Sequence, residues 1–263
     1  MSESDLFVEK SLKLETGTIS YLEAGNGPTI VCLHHSWGSV GAVRLHELLA
    51  QSYRLIVPDM PGWGASERPL WARDVRDISI LCGHFINQLD TPQVHLIGFG
   101  FGGYVAAELA VMNSQILDSL TLIGAPGLFP REGEILDQMM FSHRQYVKES
   151  FVDEATFIEQ FGEEPSQAIR DVWDHSREMT ARVAWKPYFF NRRLEPMLAN
   201  LKTNTLLIWG ASDKVVPRSV AEQYLEQLPR ANLHVLPNAG HLVELEWPEK
   251  VGTLISEHIN LNI

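Results

Sequence analysis

The amino-acid sequence predicts an α/β domain: a mostly parallel central sheet, helices on both of its faces, and a block of helices inserted late in the chain. Three observations predict it. Short β-rich runs alternate with helical patterns, which is how a parallel sheet acquires crossover helices on both faces. One apolar run, Val94–Gly98, passes through a glycine-rich turn straight into a helical segment. From about Leu128 to Arg193 strand patterns stop, and the segment reads as helical and rich in Met and aromatic residues such as Phe157, Trp173 and Phe189.

In order, 7–14 and 18–24 read as a pair of strands around a turn at Gly17, followed by a strand at 29–33, a helix at 40–51 and a strand at 54–58. A helix at 72–89, the strand at 94–98, a helix at 101–112 and a strand at 119–123 come next. After the helical block, 205–209 is a buried strand, 219–228 a helix, 232–236 the last strand and 248–260 the closing helix. The expected organisation is one domain: residues 1–127 and 194–263 form the sheet core, and 128–193 a helical cap that lines a substrate pocket. No internal repeat or low-complexity linker interrupts it.

The chain has 263 residues, with 45% hydrophobic and 21% charged residues, an ordinary balance for a soluble globular protein. A formal net charge of -12 gives a field that repels nucleic acid and anionic membranes, so neither is an expected partner. The acidic cluster Glu159–Glu164 reads as a solvated face. Cys32 and Cys82, the only cysteines, both sit in apolar patterns and read as free buried thiols. The opening Met1-Ser2-Glu3-Ser4-Asp5 lacks a basic stretch followed by an apolar core, so no secretory signal is read. No apolar run reaches the ~20 residues that span a bilayer. The expected compartment is the cytoplasm.

The most informative stretch is the glycine-rich turn, where Gly98, Gly100, Gly102 and Gly103 fall within six residues. Gly98, Gly100 and Gly103 satisfy G-x-G-x-x-G, the turn that carries a dinucleotide pyrophosphate. That chemistry wants a carboxylate at the end of the next strand, where this chain has Gly124-Ala125-Pro126. The alternative is the nucleophile elbow G-x-S-x-G, with glycine in the nucleophile's place.

Four further segments carry a resemblance. Leu33-His34-His35-Ser36-Trp37-Gly38 follows one strand, and Asp59-Met60-Pro61-Gly62-Trp63-Gly64-Ala65-Ser66 the next. Ile208-Trp209-Gly210-Ala211-Ser212-Asp213 ends the strand after the helical block, and Asn238-Ala239-Gly240-His241 follows the last strand, with Glu244 and Trp247-Pro248-Glu249 downstream. With the elbow these make five motifs in order, and over nearly its whole length the chain resembles the α/β-hydrolase superfamily. The resemblance implies His241 as general base and Asp213, 28 residues earlier, as the carboxylate that orients it. It implies the backbone N–H groups of Phe101 and Ser36 as oxyanion donors. His35 stands where the family usually has Gly, and its imidazole is expected to project toward the pocket, which His34 and His241 also approach. Adjacency of His34 and His35 supplies no ligand spacing, so no metal is expected. Asp59 and Ser66 are expected to brace their loop. No cofactor is implied, and the oligomeric state is left open.

Gly100 has no side chain, so acyl-enzyme chemistry at the elbow is impossible. Three readings follow: an enzyme that works on a small, mainly apolar ester, lactone or ketone through an Asp213–His241 dyad alone; a serine hydrolase inactivated by a Ser-to-Gly change; or a member that binds a ligand or partner without chemistry. The second departure, His35, favours natural divergence, since inactivation needs only one change. Lys186, Arg192 and Arg193 are the cations of the block available to an anionic group, though solvated or paired roles account for each.

Overall fold

A computed structural model describes residues 6–261. Met1–Asp5, the segment bearing on the secretory signal, lies outside the described residues. Eight strands form one sheet: β1 (Val8–Leu14), β2 (Gly17–Ala24), β3 (Thr29–Leu33), β4 (Arg54–Pro58), β5 (Val94–Phe99), β6 (Leu117–Ile123), β7 (Asn204–Gly210) and β8 (Ala231–Leu236), in the order β1-β2-β4-β3-β5-β6-β7-β8. β1 and β2 form an antiparallel hairpin, and β2 joins β4 antiparallel. Every pairing from β4 to β8 is parallel.

The buried strands have apolar residues on both faces, as expected where helices cover both sides. In β3, Ile30 and Cys32 belong to one core cluster, and Val31 and Leu33 to the other, because successive side chains point to opposite faces. The first cluster is closed by α1 (Arg44–Ala50) through Leu45 and Leu49, and by the C-terminal helix α10 (Pro248–Asn260) through Val251, Leu254 and Ile255. The opposite face takes α2 (Val75–Asn87), α3 (Phe101–Met112) and α8 (Arg218–Gln227), with Ile78, Phe85, Val105, Leu109 and Tyr224 in its core. Cys32 and Cys82 are free and buried.

Two helices, α1 and α2, begin later than the hydrophobic pattern implies. Asp74 accepts from the Asp77 N–H at 3.0 Å and caps α2, so the helix starts at Val75 instead of Ala72. The segment from Ser39 to Val43 is loop, with Gly41 at φ 99, a backbone state that does not continue a right-handed helix.

Between β6 and β7 run α4 (His143–Glu149), α5 (Glu154–Phe161), α6 (Gln167–Ala184) and α7 (Leu194–Leu198). Their aromatic residues pack on one another: Phe161 meets Phe151, Phe157 and Trp173 with ring centroids 5.4 to 6.0 Å apart. The block also touches the sheet's loops. Thr180 Oγ1 donates to the Ser36 carbonyl at 2.8 Å, His175 Nε2 bonds the Gly62 carbonyl at 3.1 Å, and Phe189 packs on Phe101. The acidic residues Glu159, Glu163 and Glu164 are exposed. No described helix is long and apolar enough to cross a membrane.

Candidate active site

Position 100 caps α3 with φ 48 and ψ -116, a conformation that residues other than glycine adopt only under strain. The turn is tight because α3 crosses back over the sheet: a Cβ on Gly102 would stand 2.2 Å from the Leu33 carbonyl oxygen. The Phe101 N–H, at the first turn of α3, has no hydrogen-bond acceptor among the described residues, and neither has the Ser36 N–H. Ser36 is held from the helical block, since Thr180 of α6 donates to its carbonyl at 2.8 Å.

His241 and Asp213 meet. His241 Nδ1 lies 2.9 Å from Asp213 Oδ2, with the two side chains 4% and 1% exposed. Asp213 is fixed on its own loop, Oδ1 accepting from the Val215 and Val216 N–H groups at 2.8 and 2.9 Å. In the neutral ring the carboxylate therefore accepts from Nδ1–H, which leaves Nε2 as the free ring nitrogen. Burial works against a charged His241, but Asp213, with Glu244 and Glu246 behind it, holds its pKa above the ordinary histidine value.

His35 turns toward Gly100 as the sequence implies, and it comes closer than a lining residue would. A Cβ on Gly100 would lie 2.4 Å from His35 Nδ1 and 2.9 Å from His241 Nε2. The imidazole thus stands in the space a side chain at position 100 would need. It is pinned there: Nε2 bonds Glu244 Oε1 at 2.7 Å, and the ring stacks on Trp37 at 5.3 Å with 9° between planes. Burial pushes the His35 pKa below the ordinary value, an effect that Glu244 offsets only in part.

His34 does not join them. Its Nδ1 donates to the His35 carbonyl at 2.8 Å, and its Nε2 accepts from the Met60 N–H at 3.1 Å, so both ring nitrogens are spent on loops and the ring is locked neutral. Burial takes its pKa down to about 4. Asp59 and Ser66 do brace their loop: Ala65 N–H donates to Asp59 Oδ2, and Ser66 Oγ donates to the Asp59 carbonyl.

Three contributors escape the sequence reading. Glu244 sits one helical turn past His241, yet its partner is His35, 209 residues away, a pairing no local pattern announces. Glu246 accepts from the Gly240 and Val152 N–H groups, both at 2.6 Å, and so ties the histidine loop to the helical block. Arg177 of α6 is the cation beside the site: it borders a small cavity with Trp37, Tyr146 and Trp173 and donates to the Met139 and Phe141 carbonyls. Arg192 instead lies over the rings of Phe129 and Phe190. Among the described residues, no group of three or more His, Cys, Asp or Glu side chains is placed to hold a metal ion.

This order of strands, with an elbow between β5 and α3, an acid after β7 and a histidine after β8, defines an α/β-hydrolase fold. A sequence model of the alpha/beta hydrolase family matches residues 25–252, and the chain belongs to that family. It is 28% identical to a 2-hydroxy-6-oxononadienedioate/2-hydroxy-6-oxononatrienedioate hydrolase of Paraburkholderia xenovorans (strain LB400), over 92% of this chain and 90% of that protein. Among solved structures, a meta-cleavage product hydrolase from Pseudomonas fluorescens IP01 superposes with a TM-score of 0.82 at 23% identity, covering 97% of this chain and 98% of that one. The 2-hydroxy-6-oxo-6-phenylhexa-2,4-dienoate hydrolase from Rhodococcus sp. strain RHA1 does so with 0.79 at 20% identity, covering 97% and 99%. The last two likenesses concern the fold.

Proposed function

We propose that the chain hydrolyses a small, mainly apolar ketone, ester or lactone without a covalent intermediate, His241 moving the protons and Asp213 holding its tautomer and stabilising its imidazolium. One observation carries this reading: the dyad is complete and aimed at a nucleophile position that has no side chain. Water must then attack the carbonyl carbon, and the free N–H groups of Phe101 and Ser36 are the groups to receive the developing oxyanion. Noncovalent proton transfer supplies about 10²–10⁴ in rate. That is far below a full triad, so a modest turnover is expected.

The relatives' names point to ketones conjugated to an enol. Hydrolysing such a ketone breaks a carbon–carbon bond, and the carbon that leaves needs a proton. His241, held above the ordinary histidine value, is suited to supply it. Trp37 and Trp173, which line a small cavity together, favour an apolar substrate body. In this arrangement His35, Ser36, Phe101 and His241 are all below 6% exposed, so the helical block has to shift for a substrate to enter. A disabled serine hydrolase would need room for the serine, and His35 occupies it. A protein that only binds gives no account of so closely held a dyad.

The test is turnover of 2-hydroxy-6-oxo-6-phenylhexa-2,4-dienoate and 4-nitrophenyl acetate by the wild type and by His241→Ala, with intact-protein mass spectra during turnover. The reading expects loss of activity in the variant and no adduct in the wild type. Equal rates, or an accumulating acyl adduct, would overturn it.

A further inference from the structure

His35 Nε2–H donates to Glu244 Oε1, so Nδ1 is the nitrogen left with a lone pair, and Nδ1 faces Gly100. His241 is placed in the mirror arrangement, its Nδ1 bonded to Asp213 and its Nε2 facing Gly100. The two rings meet edge to face, centroids 5.3 Å apart and planes at 61°. Two imidazole rings, each backed by a buried carboxylate, thus present their second ring nitrogens to one point. No hydrogen bond to another described residue occupies either nitrogen.

The far side of the His35 pair is also unusual. Glu244 Oε2 and His46 Nε2 are buried without a hydrogen-bond partner, and both residues line a cavity of about 40 Å³ together with His35, Trp37 and Phe99. His46 Nδ1 accepts from the Val43 N–H at 3.3 Å, so in the neutral ring Nε2 carries the hydrogen. An unpaired donor and an unpaired acceptor facing one cavity of this size make a site for bridging water, which needs roughly 10–15 Å³ per molecule.

We propose that His35–Glu244 is a second acid–base dyad of the active site, His35 acting as a catalytic base on the water over Gly100, Glu244 as its positioning residue, and the cavity beside His46 as the seat of a water that holds the second Glu244 oxygen. This rests on the hydrolytic reading above and divides the proton work within it. His35 Nδ1 takes a proton from water while the water oxygen bonds to the carbonyl carbon and the carbonyl pair moves onto oxygen. When that pair returns, the bond to the leaving carbon or oxygen breaks, and the leaving atom takes the proton of the His241 imidazolium. A proton then passes from His35 to His241 through the next water in the slot, and both rings are reset. The directions of the two pKa values agree with this division: Glu244, His241, Asp213 and the neighbouring His34 face His35, and burial leaves it the weaker base of the two, whereas the carboxylates around His241 favour its imidazolium. Environments that push two such groups apart assign acid and base.

The test compares the wild type with His35→Gln, Glu244→Gln and His241→Ala on the same two probes, reading kcat, KM and their pH profiles. Gln keeps a donor for Glu244 and deletes the nitrogen at Nδ1, so a purely structural His35 would be unaffected. The expected result for His35→Gln is a fall of about 10²–10³ in kcat with KM within about threefold, and loss of the acidic limb of the profile. Glu244→Gln, which removes the charge favouring imidazolium, lowers kcat about tenfold and moves that limb to lower pH. A His35→Gln protein with wild-type kcat and profile, beside an inactive His241→Ala, overturns the second dyad and leaves the hydrolytic reading standing. Activity in His241→Ala equal to wild type defeats the hydrolytic reading instead. Histidine ¹⁵N chemical shifts of the wild type give an arm independent of turnover and of variant folding: His35 is expected neutral at pH 7 with Nε2 protonated, and an imidazolium there overturns the base role.

Discussion

Two histidines face Gly100, and the protein has built them to different ends. His241 hangs on a loop after the last strand, beside a carboxylate that is itself held by two backbone N–H groups. His35 follows β3, is clamped between Trp37 and Glu244, and has two more histidines near it, His34 and His46. Both rings are almost fully buried, so desolvation alone would make both weak bases. What separates them is the sum of nearby charge: Asp213, Glu244 and Glu246 lift His241 above the ordinary value, while burial wins at His35. The lesson is that one hydrogen-bonded carboxylate does not fix an imidazole's behaviour in the interior; the balance of desolvation against all surrounding charge does.

The largest expected effect is on the His241 side. His241→Ala, and Asp213→Asn by disturbing the tautomer, should each cost about 10³-fold or more in kcat, read by loss of dienol absorbance. If Asp213→Asn were silent while Glu244→Gln was damaging, the roles of the two pairs would be reversed.

Next in size is Gly100→Ser, which forces a Cβ against a pinned His35 and places it at φ 48. A strain of about 1–3 kcal/mol lowers the melting temperature by roughly 2–12 °C. The single variant should not react with a fluorophosphonate probe, because the ring obstructs the serine. Adding His35→Gly clears the space, and the double variant should label. Labelling of the single variant would show that His35 yields easily, and the contrast between a fixed and a mobile histidine would fail.

Glu244→Ala leaves the His35 Nε2–H buried without its acceptor, at a cost of about 1–3 kcal/mol, seen as a lower midpoint in urea unfolding. The pH dependence of stability sets the histidines against one another. His34 and His46 have folded pKa values of about 4 against an ordinary 6.5. The unfolded chain therefore binds protons more readily there, and stability present above pH 6.5 is lost as the pH falls toward 4, by up to about 1.4 kcal/mol per pH unit per histidine. His241 acts oppositely: its folded pKa is raised, so its contribution is full below pH 6.5 and fades as the pH climbs through the folded value. Denaturation at pH 7 and pH 5 should show the net loss, and His46→Gln should reduce it.

The fold was legible because each strand and helix announces itself locally. β3 falls where an unbroken apolar run places it, and α10 where helical periodicity does. The dyad was legible for a related reason, since Asp213 and His241 sit in loops whose neighbours form motifs in family order. Gly100 and His35 were each visible as departures, but not that one fills the room vacated by the other. That depends on the angle at which β3 and β5 deliver their loops, which is a property of sheet twist and packing. Glu244 is the sharpest case. Beside His241 in sequence it looks like part of that loop, and only the short turn of α9 (Val243–Glu246) swings its carboxylate to the other ring.

The Glu246 clamp has a consequence for engineering. Its two oxygens accept from Gly240 and Val152, and the Ser150 carbonyl accepts from the His241 N–H at 2.7 Å, so a short stretch between α4 and α5 serves as the seat of the dyad's own loop. Specificity in such a fold invites exchange of the whole helical block between homologues, as if it were a detachable lid. Here the lid carries part of the hinge pin: a graft that omits the 150–152 seat would alter the aim of His241 along with the shape of the pocket, and chimeras should be cut outside it.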